Sequence, residues 1–229
     1  MENQLVKTDG NGGGAARRTR RRRVALVVRA HEVAIGPESE YSPAGRLLAT
    51  AMDLLYREGI RAVGVDRLIL EAGVAKATFY SHYRSKQALV CASLEGWDTA
   101  WMTMIDDHVE LYEPGSADRL FAVFDFLQAA SLDPAYRGSP FANALAETGA
   151  DEDVRRICRR HADRMRRKLE RLAQETGVAD APAVASSLAL VIDGAMVAAV
   201  RDGGNKAVGT ARAMAETLTG RRRAADLTT

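Results

Sequence analysis

The chain has 229 residues, 47% hydrophobic and 27% charged, with a formal net charge of +2. That balance excludes a collagen-like or wholly disordered chain and leaves enough sequence for one large or two small cored domains. Cys91 and Cys158 are the only cysteines, too few for a disulfide framework, which points to a reducing cytoplasm.

Charge is unevenly placed. Residues 1–42 hold 8 Lys and Arg against 5 Asp and Glu, residues 43–91 hold 7 against 4, and the remainder 17 against 21. A basic front and an acidic back suit a protein that meets a polyanion at one end. Two stretches imitate membrane signals. "RRTRRRRVALVV" sets a basic run before an apolar one, but the apolar run ends at Arg29 after five residues. "APAVASSLALVIDGAMVAAV", 181–200, carries Asp193 and two serines, so the expectation is a buried helix packed on another helix, with no membrane partner.

In chain order, residues 1–42 read as a disordered basic arm containing "DGNGGGAA" and the arginines between Arg17 and Arg23. Ser42 and Pro43 then open a helix whose Leu47, Leu48, Ala51, Leu54 and Leu55 form one apolar face, closed by Gly59 in a left-handed conformation. A short helix follows over 65–72, with Val65, Leu68, Ile69 and Ala72 inward and Gly73 just past its end. A third runs 76–83, and Ser85 caps a fourth that leaves the unit. Two short helices joined by a tight glycine turn and braced by a first helix make a helix-turn-helix over 43–90.

The third helix has an unusual mixture of small, hydroxylated, aromatic and basic residues. With Phe79 at the centre of its buried face and 100° per residue, Tyr83 falls about 40° away and joins the core. Ala77 and Ser81 fall nearly opposite, Thr78 and Tyr80 on the flanks, and Arg84 between Tyr80 and the outer face. Small residues outermost let a helix reach the floor of a DNA major groove, while flanking hydroxyls reach phosphates. Lys76 at the helix start can reach a base edge or a phosphate, and Ser85 and Lys86 open a helix whose first amides suit a phosphate.

Residues 45–90, and above all "AGVAKATFYSHYRSKQAL", closely resemble the N-terminal domain of TetR-family transcriptional regulators. "YRGSPFANALAE", 136–147, is similar to a segment of part of that family, with Ser139 where Cys is usual. Two departures stand out: Gly64 occupies a position where Thr or Ser is common, leaving Asp66 as a substitute, and the arm before the first helix is long. The resemblance implies an all-α homodimer, with a three-helix helix-turn-helix DNA-binding domain and a C-terminal helical ligand-binding and dimerisation domain. It implies backbone contacts from Thr78, Tyr80, His82 and Lys86, a base-facing set of Lys76, Ala77 and Ser81, and a palindromic double-stranded DNA operator released by a small-molecule effector. It also implies dimerisation through the last two helices.

Behind residue 91 helical spacing predicts segments near 91–110, 117–132, 140–148, 151–175, 181–201 and 206–219, followed by a disordered tail over 221–229. In 151–175 an apolar stripe through Val154, Ile157, Cys158, His161, Met165, Leu169 and Leu172 leaves nine Lys or Arg between 155 and 171 elsewhere, read as a solvated face rather than a second DNA surface. Trp97, Trp101, Met104, Phe121, Phe124, Phe141, His161 and Met165 are candidate linings of an effector pocket, although an aromatic stripe is more often plain core. Asn143, Glu147 and Asp193 are polar groups that could orient a ligand. Val184, Leu188, Val191, Ala195 and Ala198 form a smooth face suited to close helix packing.

No phosphate loop, zinc motif, nucleophile elbow or other catalytic constellation stands out, so neither enzyme activity nor a metal or cofactor is expected. The rival to an effector-controlled regulator is an architectural DNA-binding protein using its arginine arm, a reading that leaves the large rear domain without a purpose.

Overall fold

The computed structural model describes residues 26–36, 42–149 and 151–221. The run Arg17–Arg23 and the tail after residue 221 lie outside the described residues, and so do the expectations placed on them. Among the described residues there are ten helices and no strand. They are α1 (Leu26–Ile35), α2 (Pro43–Glu58), α3 (Val65–Ala72), α4 (Lys76–His82), α5 (Lys86–Val109), α6 (Asp118–Ser131), α7 (Pro140–Thr148), α8 (Glu152–Glu175), α9 (Ala181–Asp202) and α10 (Lys206–Thr219).

Capping chemistry sets the boundaries. Ser42 Oγ accepts from Gly45 N at 3.0 Å, Ser85 Oγ from Ala88 N at 3.1 Å, and Asp151 Oδ1 from Val154 N at 3.0 Å. Each satisfies an amide that has no partner inside its own helix. Gly73 closes α3 at φ 61° and ψ 43°, and the following amide, Val74 N, donates to Ile69 O at 3.2 Å. Gly59 departs from the expected left-handed closure: its φ of 98° is positive but its ψ is 154°. The positive φ favours glycine, and a Cβ there would also lie 3.0 Å from Glu147 Oε1, crowding that carboxylate.

Residues 26–35, expected within a disordered arm, form α1 instead. Ten residues make a marginal helix in water, and burial rather than local pattern holds this one. Leu26 and Ala30 are buried, α1 lies against both α2 and α5, and the Asp133 carboxylate accepts from Leu26 N at 2.5 Å, facing the positive end of the helix.

In the front unit α2 supports α3 and α4, and Leu47, Ala51, Leu54, Leu68, Ala72 and Phe79 form its core. Val65 and Ile69 are only half-buried. The long α5 leaves this unit and runs into the rear bundle, where it packs on α6, α7 and α8. Helix α9 packs on α8 and α10, and α6 also touches α9 and α10. By length and composition α9 could cross a bilayer. It is not the fully buried helix expected: the face with Leu188 and Ala195 packs within the chain, while Leu190, Val197 and Val200 on another side are exposed. Ala, Val and Leu surround this helix, so its periodicity does not tell inner face from outer.

At the centre of the rear bundle α5 presents the buried Asp98 to α8. His161 Nδ1 lies 2.8 Å from Asp98 Oδ1, and Arg164 donates to Asp98 Oδ2. The His161 ring stacks on Phe141 of α7, with centroids 3.7 Å apart and planes at 14°. Burial pushes the Asp98 carboxyl up, but the hydrogen bonds from His161 and Arg164 outweigh it and hold the pKa below the usual range. A depressed carboxylate pKa adds stability that is complete above the unfolded value, about 3.9, and is lost as the pH falls through the lower folded value. Asp98→Asn should therefore cost about 2 kcal/mol in urea unfolding at pH 7, the scale of hydrogen bonds to a charged group. The gap between the parent and this variant should narrow below about pH 4.

Candidate nucleic-acid interface

Seven-residue α4 is fixed in its roll by one side chain. Phe79 is fully buried, with Tyr83 tilted against it at 6.3 Å and Tyr80 edge-on at 5.1 Å between centroids. Lys76, Ala77, Tyr80, Ser81 and His82 are exposed and Thr78 is half-exposed, so six of the predicted contact residues share one outer surface. Ser81 Oγ donates to Thr78 O at 2.8 Å, which parks its proton on its own helix and turns the oxygen outward as an acceptor.

Lys76 Nζ lies 3.2 Å from Asp66 Oδ1 in the first turn of α3. Both residues are well exposed, so the pair adds little stability but directs the ammonium across the start of α4. Gly64 caps α3 with no side-chain bond, so Asp66 supplies the only acid in that first turn. Lys86 is placed differently from its neighbours in the motif. It is half-buried, and its ammonium donates to Ile60 O in the turn between α2 and α3. That bond uses one of its three N–H donors.

Several residues that brace the unit were not singled out from sequence. Arg46 Nε donates to Ala72 O at 3.1 Å, and Arg67 grips Glu58 with two nitrogens, one at 2.8 Å. A further set ties the unit to α7 and the loop before it. Tyr56 Oη donates to Gly138 O at 3.1 Å and accepts from Arg137 N at 2.7 Å. Glu147 Oε2 accepts from Arg61 N at 2.8 Å, and Arg61 Nε donates to Glu147 O at 2.9 Å. Lone arginines and tyrosines carry no spacing signal, so partners more than 80 residues away could not be paired from sequence. Burial pushes the Tyr56 hydroxyl well above its ordinary pKa, which keeps it a neutral donor.

The predicted pocket residues separate into two groups. Trp101, Met104, Phe121, Phe124, Phe141, His161 and Met165 are packed in the rear core, Trp101 edge-on to Phe126 at 5.1 Å. Trp97 and Asn143 instead line a cavity of ≈ 20 Å³ at the junction of α2, α5 and α7, beside Tyr56, Ser93 and Glu147. That volume suits about one water and lies far below the roughly 300–1,000 Å³ of a small-molecule site. An effector would have to part this lining. A wider surface hollow of ≈ 530 Å³ runs past Arg61, Glu147, Thr148 and Asp151, and of the predicted ligand-orienting groups only Glu147 lines it. Asp193 stands on the outer side of α9, where desolvation raises its carboxyl above the ordinary range. Among the described residues no three His, Cys, Asp or Glu side chains gather as a metal site. Both cysteines are free, and burial pushes the Cys158 thiol up to about 11, leaving it protonated at neutral pH.

Residues 47–92 match the profile of bacterial regulatory proteins of the tetR family. A stretch of 86 residues is 30% identical to the HTH-type transcriptional repressor NemR of Escherichia coli K12, covering 38% of this chain and 43% of that repressor. The chain thus matches less than half the length of this curated relative. A crystal structure of a TetR-family transcriptional regulator from Streptomyces coelicolor superposes with a TM-score of 0.73 at 29% identity, over 78% of this chain and 95% of that one. The reduced form of Escherichia coli NemR shares the fold, with a TM-score of 0.64 at 20% identity over 78% of this chain and 98% of the other. Residues 47–92 thus match the N-terminal domain of tetR-family proteins, and over 78% of its length the chain shares the all-helical fold of a TetR-family regulator.

Proposed function

We propose that the chain is a cytoplasmic, dimeric, sequence-specific transcriptional regulator, a repressor released from a palindromic operator by a small molecule. The observation that carries this reading is the outer surface of α4. Phe79 anchors the opposite side, leaving Ala77 and Ser81 as the only bulk along the line that enters the groove. Lys76, Ala77 and Ser81 are assigned to base edges, and Thr78, Tyr80 and His82 to the phosphate walls. Lys86 holds the α2–α3 turn with one N–H and joins the phosphate set through its others. The direction of control follows the curated relative, which is named a repressor.

Dimerisation is assigned to α9 and α10. Leu190 (74% exposed), Val197 (62%), Met214 (50%) and Leu218 (43%) form a largely apolar strip on these two helices, interrupted by Asp193, that no other described residue covers. Two copies meeting through this strip also supply the two-fold symmetry of a palindrome. The effector is assigned to the rear domain. Its entry has to open the core around Trp97 and Phe141, and movement of α7 reaches the reading head through Glu147 and Arg61.

Selection of random duplex DNA on the purified protein at near-physiological salt is the primary test. A palindrome is expected; salt-sensitive capture of every sequence, with no motif, would falsify the sequence-specific reading. Tyr80→Phe should weaken binding to all sequences about equally, by roughly the 1 kcal/mol of one hydrogen bond, whereas substitutions at Lys76 or Ser81 should change the selected motif. Leu190→Asp places a charge in the strip; sedimentation should show a monomer at concentrations where the parent is dimeric, together with loss of operator binding.

A further inference from the structure

We propose that α1 is a spacing-specificity element, a splint that fixes the angle of the reading head against the rear domain and so sets which operator half-site spacing is accepted. The proposal rests on the dimeric operator reading above. Helix α1 runs antiparallel to α5 and is fastened at both ends. At the rear end, Leu26 N donates to Asp133 in the loop between α6 and α7, and Arg29 pairs with Asp107 near the end of α5. At the head end, α1, α2 and α5 meet at one point. A Cβ on Gly96 of α5 would lie 2.9 Å from Met52 Sδ of α2 and 3.4 Å from Ala34 Cβ of α1. Met52 and Ala30 are fully buried, and α2 is the helix on which α3 and α4 rest. One short helix therefore touches the support of the reading helix and the frame of the rear domain together.

The lever arm is short. Gly96 lies ten residues past Lys86, about 15 Å along α5. A head pivoting at that crossing must tilt by about 13° to carry its reading helix one base-pair step of about 3.4 Å. Close-packed helices do not deform that far without losing contacts, and α1 packs on both helices of the α2–α5 crossing, in addition to the ties made by Tyr56 and Glu147. An unsplinted head would accept neighbouring spacings more readily.

The test uses full-length protein on palindromes carrying the selected spacing or one inserted base pair between half-sites, together with an isolated half-site. Arg29→Glu faces Asp107 with like charge across a partly exposed pair, and it should reduce discrimination between the two spacings by about threefold. Ala30→Glu forces a charge into a site with no exposure and should reduce it by about tenfold or more. The swap R29E/D107R should restore discrimination, and half-site affinity should stay at the parent level throughout. Folded variants that keep the parent's discrimination overturn the splint. So does a parallel loss of half-site affinity, which would make α1 a general support of the head. A parent that selects no palindrome sinks the operator reading and the splint with it, an outcome distinct from both.

Discussion

Burial of Phe79 is the constraint on which the working surface depends. A helix of seven residues cannot persist alone in water, because nucleation costs more than so few hydrogen bonds return. Helix α4 exists because one aromatic side chain is removed from solvent against α2 and α3, a term of about 1.5–3 kcal/mol that also fixes rotation about the helix axis. Once that rotation is set, the 100° step leaves no freedom in which residues face outward. Tyr80 and Tyr83 pack against the anchor, and the small residues at 77 and 81, nearly opposite Phe79, are the outermost points.

For the regulator proposed above, a surface fixed this well is useful only if its position can be altered from the rear. The turn at residues 59–61 is where the two meet. Lys86 holds its carbonyl from α5, Glu147 holds its amide from α7, and Gly59 admits the Glu147 carboxylate by having no side chain. Phe141, six residues before Glu147 on α7, stacks on His161, which in turn bonds Asp98 on α5. Helix α7 is thus gripped at its N-terminal end by the buried polar cluster of the rear domain and at its C-terminal end by the head. It is only nine residues long, so displacement at one end is carried to the other with little loss.

The parts legible in sequence were those written in local chemistry. Ser42–Pro43, Gly73 and Ser85 mark α2 to α5 because capping needs no distant partner, and the outer surface of α4 follows from one aromatic anchor and a period. Helix α1 is not marked in the sequence because no Ser, Thr, Asp or Asn stands just before Leu26, and the partner of its first amide is Asp133, more than a hundred residues away. The free face of α9 was misjudged because small apolar residues surround the helix, and a uniform helix has no period to read. The bond from Lys86 to Ile60 O is a tertiary fact without a sequence signature.

Electrostatics gives a reason for the composition of α8. Nine cations on one helix would form a second attractive surface for DNA, remote from the reading head and indifferent to sequence. Seven of them are paired: Arg155 and Arg159 with Glu152, Arg156 with Asp153, Arg160 with Glu95, Arg164 with Asp98, Arg166 with Asp163 and Lys168 with Asp106. Exposed pairs of this kind add little to stability, so stability is a poor account of their number. Their larger effect is on the field. The cations of α8 are thus largely neutralised locally, and the sequence behind residue 91 is net acidic. Under the proposed function, neutralising α8 in this way removes a competing, sequence-indifferent surface from the flank of the rear domain.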